Sequence, residues 1–199
     1  MQERGKFIVI EGGEHVGKTT QSQILAETIG ALSVREPGGT PVGEALRAIL
    51  LDPEIPTLPK TEVLLFAGQR AELMGSVIAP ALQDGRHVVS DRSWISGAAY
   101  QCARGGNYQE IKEINQYALG EFFLPDQIII LDADPTVVAS RVQGTGDYFE
   151  QMDPKFHLDV RQNFLEFGKD LGATVLDATL SLNVVSQQIR GTVANTLYI

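Results

Sequence analysis

Eight residues near the amino terminus have the types and order needed to hold an anion. Gly12-Gly13-Glu14-His15-Val16-Gly17-Lys18-Thr19 fits G-x-x-x-x-G-K-[ST]. Glycines let backbone N–H groups turn inward around phosphate oxygens. A helix opening at Lys18 adds partial positive charge at its amino end. The lysine reaches the β- and γ-phosphates, and the threonine hydroxyl suits Mg²⁺. The ligand expected on Gly12 through Thr19, and on the adjoining Thr20, is a nucleoside triphosphate.

Such a loop works only between a strand and a helix. Both are legible. "FIVIE" (7–11) is a short apolar run, and Lys18 to Ile29 carries Ile24, Leu25 and Ile29 at helical spacing. Similar runs recur at 32–36, 87–91, 127–132 and 173–178. They suit strands buried on both faces. Helical patterns lie between them, so the expected fold is α/β, a P-loop kinase type of parallel sheet with about five strands and helices on both faces. Phe156, Val160, Phe164, Phe167 and Leu171 step by three or four along one such helix and read as core. The 199 residues suit one domain, 1–199. "LDPEIPTLPK" (51–60) reads as a surface loop, and the polar stretch within 142–154 as a short lid.

Composition narrows the partners. Twenty-five acids against 16 bases give a formal net charge of -9, which opposes nucleic acid and anionic membranes as partners. A small phosphorylated molecule can still bind where arginines converge. One cysteine, Cys102, allows no internal disulfide. "MQERGKF" has no apolar signal core, and no apolar run reaches the roughly 18 residues that span a bilayer. The expected location is cytoplasmic. No "NKxD"-type element is present, which disfavours a switch GTPase.

A kinase for a small molecule also needs an acceptor site. Three segments supply candidates: "REPGGTPVGEALRAILL" (35–51) with Arg47, "LLFAGQRAEL" (64–73) and "VVSDRSWISGAAYQ" (88–101). Phe66 and Arg70 are four apart and share a helix face, so one can stack on a base while the other bonds its edge. Asp91 and Arg92 fall at the carboxyl end of a strand, where open parallel sheets place ligands. Tyr100 and Gln101 follow in the next helix.

Taken in order, these stretches resemble bacterial thymidylate kinases, which move a phosphoryl group from ATP to dTMP. The likeness runs from the phosphate loop through "EPGGTPVGE", "LLFAGQR", "IAPAL", "DRSWISGAAYQ" and "PDQIIILD" to the final helices. It implies ATP with Mg²⁺ as donor and dTMP as acceptor. It places Glu14 near the acceptor sugar, Phe66 on thymine, Arg70 and Gln101 at the base edge, Arg92 on the acceptor phosphate and Tyr100 against the sugar. Glu36, Pro37, Arg47 and Ser96 fall in the same acceptor-binding stretches. Asp91 joins Thr19 near the metal. The family also implies a homodimer, for which Leu64, Leu65 and Ile78 offer apolar helix faces.

The sequence departs from the family in one respect. These kinases resemble one another in supplying an arginine from the loop or lid to neutralise charge in phosphoryl transfer. Here the loop has His15, and the lid pattern "DRxE" reads Asp147-Tyr148-Phe149-Glu150. From Val142 to Pro154 there is no lysine or arginine. Arg141, at the lid's root, and His15 are the candidates to replace it, and Tyr148→Arg is expected to restore the lid cation. The alternatives are a weakly catalytic nucleotide-binding relative acting as a regulatory or interaction module, and a kinase for dUMP or a modified pyrimidine.

Overall fold

The apolar runs form one sheet. A computed structural model describes residues 3–138, 141 and 148–197. Strands β1 (Phe7–Gly12), β2 (Leu32–Arg35), β3 (Val88–Asp91), β4 (Gln127–Asp132) and β5 (Thr174–Asp177) are all parallel and lie in the order β2-β3-β1-β4-β5. The central strand is β1: Ile10 pairs with Asp91 of β3 and with Ile129 of β4. Alternation along it feeds two cores. Phe7 and Val9 pack with Trp94, Val160 and Phe164 on one face; Ile8 and Ile10 pack with Leu25, Ile129 and Ile189 on the other.

The strands β1 and β3 are buried throughout, as unalternated runs predict. The edge strands are not. Along β2 and β5 half-buried and exposed residues alternate, so one face of each is open to solvent. The expectation of strands buried on both faces is corrected there.

Helices fill the connections: α1 (Lys18–Ile29), α2 (Pro41–Leu51), α3 (Pro59–Leu73), α4 (Ala79–Gln83), α5 (Trp94–Ala103), α6 (Tyr108–Leu119), α7 (Pro135–Val138), α8 (Pro154–Asp170) and α9 (Leu182–Leu197). Their boundaries have local causes. Gly30 ends α1 in the left-handed conformation, with its N–H on the Ala26 carbonyl. Thr40, Ser93, Asn107 and Asp153 cap α2, α5, α6 and α8 through their side chains. A π-helical turn, Met74–Ile78, joins α3 to α4 just before Pro80, whose ring cannot fit a regular helical turn behind it. The α8 stripe of Phe156, Val160, Phe164 and Phe167 is buried, as expected of core. The loop between α2 and α3 is where the proline-rich stretch places it.

Candidate active site

The strand ends converge on one crevice at the carboxyl edge of the sheet. Gly12 closes β1 at φ 138°, and a Cβ there would come within 2.3 Å of the Leu131 carbonyl oxygen. Only glycine lets the loop leave so close to β4. His15 and Gly17 also take positive φ, at 58° and 93°, and curl the loop into the start of α1. The Val16 side chain anchors it in the core. Lys18 Nζ donates to the Gly13 carbonyl, which holds the ammonium across the loop mouth. Burial pushes Lys18 down to about 8, with Arg92 adding to the effect and Glu14, Asp91 and Glu11 opposing it.

Thr19 Oγ1 donates to Asp91 Oδ2 at 2.5 Å, and Asp91 Oδ1 is buried with no hydrogen-bond partner. An orphaned carboxylate oxygen is costly. An oxygen-seeking cation beside Thr19 would satisfy it, so the pair fits Mg²⁺. Among the described residues no three His, Cys, Asp or Glu side chains cluster as a metal cage.

Arg92 follows β3 directly and sits at φ 75°, a strained setting for a residue with a side chain. Its backbone N–H bonds the Ile10 carbonyl of β1 at 3.0 Å, which holds the turn in place. Both terminal nitrogens of the guanidinium are engaged. Nη2 donates to both carboxylate oxygens of Glu14 at 2.7 Å, and Nη1 to Ser96 Oγ at 3.1 Å. It also lies 5.3 Å from the Tyr100 ring centre. The Tyr100 hydroxyl donates to Glu14 as well. Burial would raise the Glu14 carboxyl, but Arg92 and Lys18 outweigh it and hold it at about 2.

These groups wall a cavity of about 480 Å³. Lys18, Thr19 and Thr20 stand at one end; Glu36, Pro37, Arg47, Phe66, Arg92, Ser96 and Tyr100 line the rest. Arg47 donates to the Pro37 carbonyl at 2.9 Å, which ties α2 to the loop after β2. Arginines therefore converge locally in an acidic chain. Arg70 and Gln101 sit one layer back, behind Gly97, which lines the cavity. A Cβ on Gly97 would lie 3.3 Å from Arg70 Nη2 and 3.9 Å from Gln101 Oε1. Arg70 is held by Glu36 at 2.6 Å and by Asn115 at 2.5 Å, whereas buried Gln101 Nε2 has no hydrogen-bond partner.

Of the expected lid, 142–147 lies outside the described residues, Asp147 included. Phe149 lies over the cavity, with its ring 6.2 Å from Phe66 and 5.5 Å from Tyr100. His15 Nε2 is 3.2 Å from Glu150 Oε1, which joins lid to loop. Arg141 donates to the carbonyls of His15 at 3.3 Å and Ala178 at 3.4 Å. Tyr148 does not line the cavity. Its ring lies 5.4 Å from the Arg104 guanidinium carbon, beside the end of α5. An arginine at 148 would face another arginine, so the expectation that Tyr148→Arg restores a phosphate cation is revised.

Sequence reasoning missed four residues here. Glu11, Gln69, Ser93 and Asn115 form the hydrogen-bonded layer behind Arg92 and Arg70. Glu11 had a signal, an acid ending an apolar run. Asn115 had one too, a polar residue four from Ile111 and four from Leu119 in a buried stripe. Trp94, read as packing, is buried and donates Nε1–H to the Phe123 carbonyl.

A phosphate loop on a central parallel strand, facing an arginine-bearing pocket in the same crevice, is the layout of a nucleoside monophosphate kinase. The thymidylate kinase family model matches residues 10–189. A thymidylate kinase of Carboxydothermus hydrogenoformans is 38% identical over 196 residues, 94% of this chain and 96% of that protein. One from Glaesserella parasuis is 39% identical over 197 residues, 94% of each. One from a Synechococcus species is 44% identical over 164 residues, 79% of each. The chain belongs to the thymidylate kinase family, and it is an enzyme.

Proposed function

We propose that this enzyme transfers the γ-phosphoryl group of ATP to dTMP, giving dTDP and ADP, within one kinase domain whose lid spans 142–154. The observation that carries it is a single cavity joining Lys18 and Thr19 to Phe66 and Arg92. In this reading Gly12 to Thr20 hold the ATP phosphates. Phe66 stacks on thymine, and Arg70 and Gln101, one layer back behind Gly97, are the groups assigned to its edge. Glu36, Pro37, Arg47, Ser96 and Tyr100 shape the acceptor pocket. Thr19 and Asp91 would hold Mg²⁺, which supplies charge neutralisation at the phosphates when bound.

The reaction forms a bond from a dTMP phosphate oxygen to the γ-phosphorus as the bond to the β,γ-bridging oxygen breaks, and the charge passes to ADP. The protein's task is positioning and charge balance. Lys18 sits on the donor phosphates, Arg92 on the acceptor phosphate, and Glu14 orients Arg92 and meets the sugar. Arg141, already bonded to the loop at His15, is the cation we assign to the place of the family's lid arginine.

The proposal extends to a cytoplasmic homodimer. Leu64 on α3 is 60% exposed and Tyr117 on α6, which packs against α3, is 94% exposed, and these are the side chains we assign to a second copy. Ile78 is fully buried and Leu65 packs against the core, so Leu64 alone of the three expected apolar residues is open to a partner. Among the described residues no helix is long and apolar enough to cross a membrane. The test of function is ADP release from ATP with and without dTMP: release that does not depend on dTMP would contradict the reading.

A further inference from the structure

Glu11 is the next-to-last residue of the central strand, is 0% exposed and points to the same face as Phe7 and Val9, toward α5. A carboxyl group there is anomalous, because burying its charge is costly. Burial raises it to about 7, against the pull of Ser93, Ser96 and Arg92. An apolar residue would suit the position better for stability alone. The contacts show what the carboxylate does instead. Oε1 accepts from Ser93 Oγ at 2.6 Å, and Oε2 accepts from Ser96 Oγ at 2.5 Å. Ser96 Oγ in turn accepts from Arg92 Nη1 at 3.1 Å, and Ser93 Oγ from the Ile95 N–H at 3.3 Å.

The chemistry of a hydroxyl makes these contacts interdependent. Each serine has one proton and two lone pairs. In its ionised form the Glu11 carboxylate takes both protons, which turns a lone pair of Ser96 toward Arg92. A glutamine, with one oxygen and one NH₂, can take only one of them. The other serine proton must then seek a new acceptor, and for Ser96 the direction it vacates points at an N–H donor.

We propose that Glu11 is a positioning residue for phosphoryl transfer, which fixes Ser96 Oγ as an acceptor and through it holds the Arg92 guanidinium for the acceptor phosphate. Arg92 is then supported on both terminal nitrogens: by Glu14 on Nη2, and by Ser96 together with the Gly12 carbonyl, at 3.4 Å, on Nη1. Ser96, on the wall of the same cavity, is itself held from the core side by Glu11. When the acceptor phosphate draws on Nη2, the Ser96 contact keeps the fork oriented.

This inference rests on Arg92 as the clamp of the acceptor phosphate, and the test separates the two. Steady-state kinetics with dTMP and ATP varied in turn are compared for wild type, Glu11→Gln, Ser96→Ala and the double variant. Glu11→Gln is expected to raise KM for dTMP about tenfold while KM for ATP stays within about twofold. Ser96→Ala is expected to match it, and the double variant to lose no more than either single one, because both act through one contact. Glu11→Asp, which keeps the charge but withdraws the carboxylate from Ser96, gives the same split should Glu11→Gln not fold. Additive losses, or KM for both substrates rising together, would overturn the role of Glu11. An Arg92→Ala variant with unchanged KM for dTMP would overturn the clamp itself.

Discussion

Arg92 and Glu14 form a two-oxygen contact across the mouth of the acceptor cavity, both bonds at 2.7 Å, joining the end of β3 to the phosphate loop. Donor and acceptor halves of the site are thereby linked by one ion pair. The Glu14 carboxyl sits at about 2, below its usual 4.5, because Arg92 and Lys18 outweigh burial. A lowered carboxyl contributes stability that is complete above about pH 4.5 and is lost as pH falls toward 2.

From that pair, Glu14→Ala should destabilise the fold at pH 7. It leaves the Arg92 charge partly buried with no carboxylate, at a cost of about 2 to 4 kcal/mol after allowance for solvent. Urea unfolding at pH 7 and again at pH 3 measures it. The difference from wild type should shrink at the lower pH, where the carboxyl of the unfolded chain is protonated while that of the folded protein is still largely ionised. A difference that is constant with pH would mean the pair carries no charge-dependent stability.

The metal site has its own signature. Asp91→Asn keeps the shape of the side chain but removes the charge from the unpartnered Oδ1. The Mg²⁺ concentration for half-maximal turnover should rise about tenfold or more, with KM for dTMP little changed. Titration of MgCl₂ at fixed total ATP reads this directly. An unchanged Mg²⁺ requirement would remove Asp91 from the metal site.

Tyr148 makes the reverse of the sequence expectation testable. With its ring beside Arg104, Tyr148→Arg should give no gain in kcat, and like-charge contact should lower stability by about 0.5 to 1 kcal/mol. Arg141→Ala should instead slow the chemical step, which single-turnover rates resolve from product release. A faster chemical step in Tyr148→Arg would show that residue 148 reaches the phosphates after all.

Much of this was legible in the residues. Apolar runs flanking a glycine-lysine-threonine loop gave the strands, the alternation and the sheet class, because buried parallel strands and anion loops each have a local pattern. The edge character of β2 and β5 was not legible, since sheet order depends on which helices cover which face. The i, i+4 spacing put Phe66 and Arg70 on one face correctly, but not that Arg70 is spoken for by Glu36 and Asn115. Loop residues carry no periodicity, so nothing in "DYFE" told that Phe149 turns inward and Tyr148 toward Arg104.

The central claim is that donor and acceptor meet in one cavity and that the acceptor is dTMP. Initial rates of ADP formation with ATP and Mg²⁺ over dTMP, dUMP, dCMP, dAMP and dGMP test it most directly, with Lys18→Ala and Arg92→Ala run alongside. The account predicts the highest kcat/KM for dTMP. It also predicts losses of about a hundredfold or more in each variant, chiefly in KM for dTMP with Arg92→Ala and chiefly in the ATP-dependent step with Lys18→Ala. A purine monophosphate turned over faster than dTMP, or near-normal kcat/KM in either variant, would contradict it.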